Sequence, residues 1–195
     1  MNFKSIIEKI HTIQKNNLVD LTNFRGRGVG KGTELLPVKS RGLYWLWSRT
    51  PIEKLVKSLP SEGAHVPIDK LLKNRNGLNH ICKVSDGDYR VLYNGIGGYT
   101  TWTKKSVYGL RGRINQEVNC NNTKTGTLNI AGRGFDIDDW KVSFFDFDDP
   151  NNKQILEKLA TKEKDFNIAQ LYNDYANELE ILWRMHYGTP ILCRH

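Results

Sequence analysis

Four side chains in this sequence have types and positions that suit chemistry on an anion. Tyr44 and Tyr93 stand in two β-prone segments, Arg113 in a basic helix-like segment, and Glu180 in the last helix-like segment, with Glu178 close by. A guanidinium holds a phosphate with fixed donors, a phenol can take or give a proton, and one carboxylate can anchor a hard divalent cation. Lys104, Lys105 and Arg111 add positive charge beside Arg113. Other chemistries find less support. His11, His65, His80, His186 and His195 form no close-spaced ligand set, and Cys193-Arg194-His195 would need partners from elsewhere to hold zinc. There is no Cys-x-x-Cys pair and no Gly-x-Ser-x-Gly elbow. Gly28-Val29-Gly30-Lys31-Gly32-Thr33 lacks the P-loop spacing and follows no apolar strand. Asp136, Asp138, Asp139, Asp146, Asp148 and Asp149 bracket a strand end and read as loop markers.

Charge is unevenly distributed along the 195 residues. Residues 1–113 carry 20 Lys and Arg against 8 Asp and Glu, whereas residues 114–195 carry 9 against 13. A polyanion would therefore meet the first part of the chain. No run reaches the roughly 20 apolar residues of a membrane span, so no membrane partner is expected. The N-terminus has no apolar signal block, and three scattered cysteines do not make a disulfide framework, so a reducing cytoplasm is the expected compartment.

Several elements must position these groups. Phe3, Ile6, Ile7, Ile10 and Ile13 recur at helical spacing and predict an amphipathic helix over residues 3–19. The segment from Asn23 to Gly42 alternates glycine with Arg25, Arg27 and Lys31; it reads as a phosphate-following arm or as a plain linker. Gly42 to Trp47 is a buried strand. Pro51 and Pro67 each open a short helix, and Asp88 to Tyr93 is a second strand that runs into a turn at Asn94 to Gly98. Lys104 to Asn119 reads as a helix with Val107, Leu110, Ile114 and Val118 on its apolar side. Trp140 to Phe147 is a third strand. A long helix from about Asn167 to His186 carries Tyr172, Tyr175, Ala176, Leu179, Leu182, Trp183 and His186, and Gly188-Thr189-Pro190 stops it.

In this order the motifs resemble the GIY-YIG nuclease superfamily over about residues 40–193. Gly42-Leu43-Tyr44 is similar to its first motif and Tyr93-Asn94-Gly95 to its second, with Asn94 in place of the usual aliphatic residue. Gly109 to Ile114 is similar to the helix bearing the family arginine; Arg113, rather than Arg111, precedes the aliphatic residue as that pattern expects. Leu179 to Arg184, followed by Gly188-Thr189-Pro190, is similar to the final helix with its metal-binding glutamate. Three departures stand out: 48 residues separate Tyr44 from Tyr93, Glu117 occupies the place of a common His or Tyr, and no asparagine follows Pro190.

The resemblance implies an α/β (α+β) fold: a small, mainly antiparallel three-stranded central sheet flanked by helices. Residues 1–40 would form an N-terminal helix and basic arm. Residues 41–195 would form the nuclease-like domain, with an insert over about residues 50–87. It also implies hydrolysis of phosphodiesters with one Mg²⁺ (or Mn²⁺) on Glu180, Glu178 being the alternative ligand. Arg113 would grip the phosphate, Tyr93 would act as general base with its acidity raised by Lys104, Lys105 and Arg113, and Tyr44 would support it. Lys104 would also reach the attacking water or the phosphate. The insert points to the Type II restriction branch and a homodimer on double-stranded DNA. DNA grip would come from Arg25, Arg27, Lys31, Lys105, Arg111 and the stretch Leu55–Arg75. A homing or structure-specific repair nuclease is the alternative within the class, and a non-catalytic nucleic-acid-binding module the alternative outside it.

Overall fold

A computed structural model describes residues 3–25, 35–37, 40–98, 109–159 and 168–194. The N-terminal helix α1 (Phe3–Asn16) leads through β1 (Val19–Asp20) to the central strand β2 (Gly42–Ser48). Two short helices follow, α2 (Ile52–Val56) and α3 (Ile68–Arg75), then β3 (Ser85–Asp86) and β4 (Tyr89–Gly97). Helix α4 (Leu110–Val118), strand β5 (Trp140–Asp146), the single turn α5 (Lys153–Leu156) and the long α6 (Ile168–Tyr187) complete the order.

The sheet is antiparallel with order β1-β5-β2-β4-β3. The architecture mixes helix and sheet as expected, but the sheet has five strands rather than three. The two extra strands are two residues each and sit at opposite edges. A two-residue segment shows no alternation, so no period announces it. The long strands are the three the sequence predicts, with β2 in the middle and buried at every position.

The second strand corrects another expectation. Asn94 to Gly97 is not a turn but the second half of β4, paired residue for residue with Trp45 to Gly42. Its glycines serve close approach. A Cβ on Gly97 would lie 2.4 Å from Leu110 Cα, and one on Gly95 would lie 2.5 Å from the Tyr44 hydroxyl. A register shift between Leu46 and Trp47 leaves Leu92 as the extra residue of a bulge.

Cores lie on both faces of the sheet. On one, Tyr44, Leu46, Leu92 and Val142 pack with Leu110, Ile114 and Val118 of α4 and with Leu55, Ile68 and Leu72 of the insert. On the other, Leu43, Trp45, Trp47 and Phe145 pack with Ile6, Ile7 and Ile10 of α1 and with Ala176, Leu179 and Trp183 of α6. His186, assigned to the apolar stripe of α6 by spacing, is exposed. The helix α1 ends at Asn16, before the expected residue 19.

Beyond Tyr89 and Arg90, the outer edge of β4 pairs with no strand among the described residues. The C-terminal tail covers it instead. Leu192 N donates to Leu92 O at 2.9 Å, and Asn94 N donates to Cys193 Sγ at 3.3 Å. Edge groups of the sheet are thereby satisfied without a further strand.

Candidate active site

Helices α4 and α6 lie on opposite faces of the sheet and both reach past the open stretch of β4. A cavity of about 440 Å³ forms where they meet, lined by Tyr44, Tyr93 and Asn94 of the sheet, Arg113 of α4, and Glu180 and Arg184 of α6, with Cys193 and Arg194 of the tail. That volume is within the roughly 300–1,000 Å³ of small-ligand sites. Four residues selected from the sequence, Tyr44, Tyr93, Arg113 and Glu180, thus line one cavity. The two open choices also separate: Glu178 is exposed and, like Arg111, does not line the cavity.

Glu117 organises the α4 side. It is fully buried, one turn after Arg113. Its Oε1 accepts from the Tyr44 hydroxyl at 2.7 Å and lies 3.2 Å from Arg113 Nη2, while Oε2 accepts from Leu128 N at 2.7 Å. Arg113 also donates to Gly126 O at 2.7 Å and to Gln116 Oε1 at 3.1 Å. Two anchors and an ion pair fix this guanidinium, as a phosphate-holding group requires. Burial pushes the Glu117 carboxyl up, against the pull of Arg113. Glu117 stands out in the sequence only as a departure; its i,i+4 step from Arg113 is a local signal, whereas its bonds to Tyr44 and Leu128 are not readable from spacing.

Tyr44 has no free hydroxyl to offer. It is fully buried, and burial and Glu117 both push its phenol up. It braces the site through Glu117 rather than through Tyr93, whose ring lies 6.2 Å away and tilted by 42°. Tyr93 is partly exposed to the cavity. Burial pushes its phenol up, Glu117, Cys193 and Glu180 add to the rise, and Arg113 alone opposes it. The expected lowering by cations is therefore not achieved by Arg113. Lys104 and Lys105 lie outside the described residues, as do Arg27 and Lys31; Arg25 is exposed.

On the α6 side, Glu180 Oε1 pairs with Arg184 Nη2 at 2.9 Å. Arg184 Nε donates to Asn94 Oδ1 at 2.9 Å, and Cys193 Sγ donates to the same oxygen at 3.0 Å. Asn94, Arg184 and Cys193 were not among the sequence-selected residues. The signals for them were the motif departure at Asn94 and the four-residue step from Glu180 to Arg184. Burial pushes the Cys193 thiol up to about 12, so it remains protonated near neutral pH. The three cysteines are free thiols.

No group of three or more His, Cys, Asp or Glu stands together among the described residues. Zinc would need several such ligands. One cavity-facing carboxylate suits a hard cation that keeps most of its water; burial pushes the Glu180 carboxyl up, and Arg184 opposes the rise. Of the two acidic side chains on the cavity side of α4 and α6, only Glu180 lines the cavity; Glu117 is committed to Tyr44, Arg113 and Leu128.

The insert divides between packing and surface. Leu55, Ile68 and Leu72 are buried, and Arg75 binds the Cys193 and Arg194 carbonyls. Its outer side leaves Lys54, Lys57, Lys70 and Lys73 exposed. No helix of the described residues is long and apolar enough to cross a membrane. Comparison with family models, with curated proteins and with solved structures returns no match.

Proposed function

We propose that the chain is a DNA endonuclease of GIY-YIG type that hydrolyses phosphodiesters with one Mg²⁺ or Mn²⁺. The observation that carries this reading is the shared cavity: a fixed guanidinium, an accessible phenol and a single carboxylate, from three separate elements, face one volume. Arg113 holds the scissile phosphate and answers its added charge with donors already in place. Tyr93 takes the proton of the attacking water once the field in the cavity is more cationic than Arg113 alone makes it. Glu180 would hold the metal ion, which would supply charge stabilisation for the leaving oxygen. Tyr44 and Glu117 keep Arg113 in register.

The basic first part of the chain and the exposed lysines of the insert suit double-stranded DNA. The insert between Tyr44 and Tyr93 favours a Type II restriction enzyme working as a homodimer in the cytoplasm.

Plasmid cleavage in Mg²⁺ tests the proposal. Glu180→Ala is expected to abolish nicking while DNA binding, followed by gel shift, survives. Cutting at the wild-type rate by that variant would remove Glu180 from the mechanism. Retention on DNA with no nicking by the native protein in any divalent cation would leave a binding module. Discrete fragments identify a restriction enzyme, and preference for branched DNA a repair nuclease.

A further inference from the structure

Arg184 and Arg194 line the cavity without a task in the proposed chemistry, and of these Arg184 is the one paired with Glu180. Its guanidinium is held at two points, Nη2 on Glu180 Oε1 and Nε on Asn94 Oδ1, each at 2.9 Å. The side chains of Arg184 and Glu180 are only 15% and 13% exposed, so the pair lies largely out of water, where charges interact strongly. Asn94 is itself buried and fixed by Cys193. A divalent cation on Glu180 would bring like charge against a guanidinium that touches the same oxygen. The two compete for the carboxylate, and the cation weakens the hold of Glu180 on Arg184.

The surroundings give the arginine somewhere to go. A second cavity, of about 760 Å³, is lined by Asn79, His80, Lys83, Arg184, His186 and neighbouring residues, with no Asp or Glu among them. It shares Ile181 and Arg184 with the first cavity, so Arg184 stands where the two adjoin. A nucleic-acid strand passing through the first cavity would set its next phosphate there.

We infer that Arg184 is a second phosphate-binding residue that neutralises Glu180 in the metal-free protein and is released to substrate phosphate when Glu180 binds its divalent cation; this rests on Glu180 being the metal ligand. Metal and DNA binding are then coupled, each making the other more favourable. Asn94, in a place where the related motif has an aliphatic residue, is the clamp that keeps Arg184 on the carboxylate.

Two measurements on the full chain decide it. The first is Mn²⁺ binding by calorimetry without DNA. Arg184→Met is expected to bind Mn²⁺ about tenfold more tightly than the native protein, the scale of one partly buried ion pair. Asn94→Val, which keeps the positive charge but frees it, is expected to shift affinity in the same direction. Glu180→Gln should bind no Mn²⁺. Native affinity in both Arg184→Met and Asn94→Val, with binding lost in Glu180→Gln, would overturn the inference and leave the metal site standing. A shift in Arg184→Met with none in Asn94→Val would reduce Arg184 to a remote charge and also overturn it. Native affinity in Glu180→Gln would sink the metal reading itself.

The second measurement is the salt dependence of binding to a short duplex. In a divalent cation that does not support cutting, Arg184→Met should lower the slope by about one phosphate contact. In chelator it should leave the slope unchanged. Equal slopes for the two proteins in both conditions would overturn the release to phosphate.

Discussion

Burial keeps the proton on the Tyr93 hydroxyl, and the carboxylates of Glu117 and Glu180 reinforce that, so the phenol begins as a neutral donor. To act as a base it must lose that proton, and the chance of its doing so grows with pH. Single-turnover cleavage should therefore accelerate as pH rises from neutral, and Tyr93→Phe should be at least about 100-fold slower, the usual scale of proton-transfer catalysis. A near-native rate for that variant would assign the base elsewhere. A second titration belongs to stability. Burial raises the Asp146 carboxyl from its ordinary 3.8 to about 6, with Asp148 and Asp149 adding to the rise, while the Asp148 N–H and Arg41 oppose it. The folded chain then keeps a proton that the unfolded chain gives up, so this stabilisation is complete below about pH 4 and is lost as pH climbs through 6. Asp146→Asn keeps the acceptor for Asp148 N, 2.9 Å away, and removes the charge. Its urea midpoint should match the native protein at pH 4 and exceed it at pH 7.5; equal midpoints at both would dismiss the effect. Tyr44, Tyr93, Arg113 and Glu180 were legible because each belongs to a short motif with its own local spacing. Asn94 and Cys193 were not, because their roles exist in contacts between segments far apart in the chain; Glu117 and Arg184 pair at i,i+4 with Arg113 and Glu180, but their bonds to Tyr44 and Asn94 join distant segments.

At the level of elements, α4 reaches the site only because β4 is thin where the two touch. Gly97 faces Leu110 so closely that an added Cβ would press on backbone at 2.4 Å, and Leu110 begins the helix that carries Arg113 and Glu117. Backbone cannot swing aside as a side-chain tip can. Gly97→Ala is expected to cost about 1–3 kcal/mol in urea denaturation, the range for overpacked interiors. An unchanged midpoint would mean that α4 and β4 separate freely. The three long strands were legible from their apolar, β-branched and aromatic content. The second half of β4 was not, because Asn94-Gly95-Ile96-Gly97 has the composition of a turn and its glycines answer to Tyr44 and Leu110 rather than to backbone curvature. The edge strands β1 and β3 were hidden for a different reason: two residues cannot show a period. The insert read correctly as two short helices, but their Leu55, Ile68 and Leu72 serve the core.

Across the whole molecule the distribution of charge is the feature a long polyanion would meet first. The excess of cations lies in residues 1–113, and its exposed members include Arg25 near the start of the glycine-rich arm and Lys54, Lys57, Lys70 and Lys73 on the insert. In the cavity Arg113 and Arg184 are matched by Glu117 and Glu180, and Arg194, which donates to the Ala64 and His65 carbonyls, adds positive charge. On the proposed function, most of the affinity for DNA comes from the more numerous exposed cations outside the cavity, through phosphate contacts that release counterions. Replacing Arg25, Arg27 and Lys31 together should flatten the dependence of binding on salt by up to about three contacts, at about 0.9 per phosphate neutralised. Cleavage at saturating protein should change little, because none of the three is assigned to the reacting atoms. A slope identical to that of the native protein would make the arm a connector and leave DNA grip to the lysines of the insert.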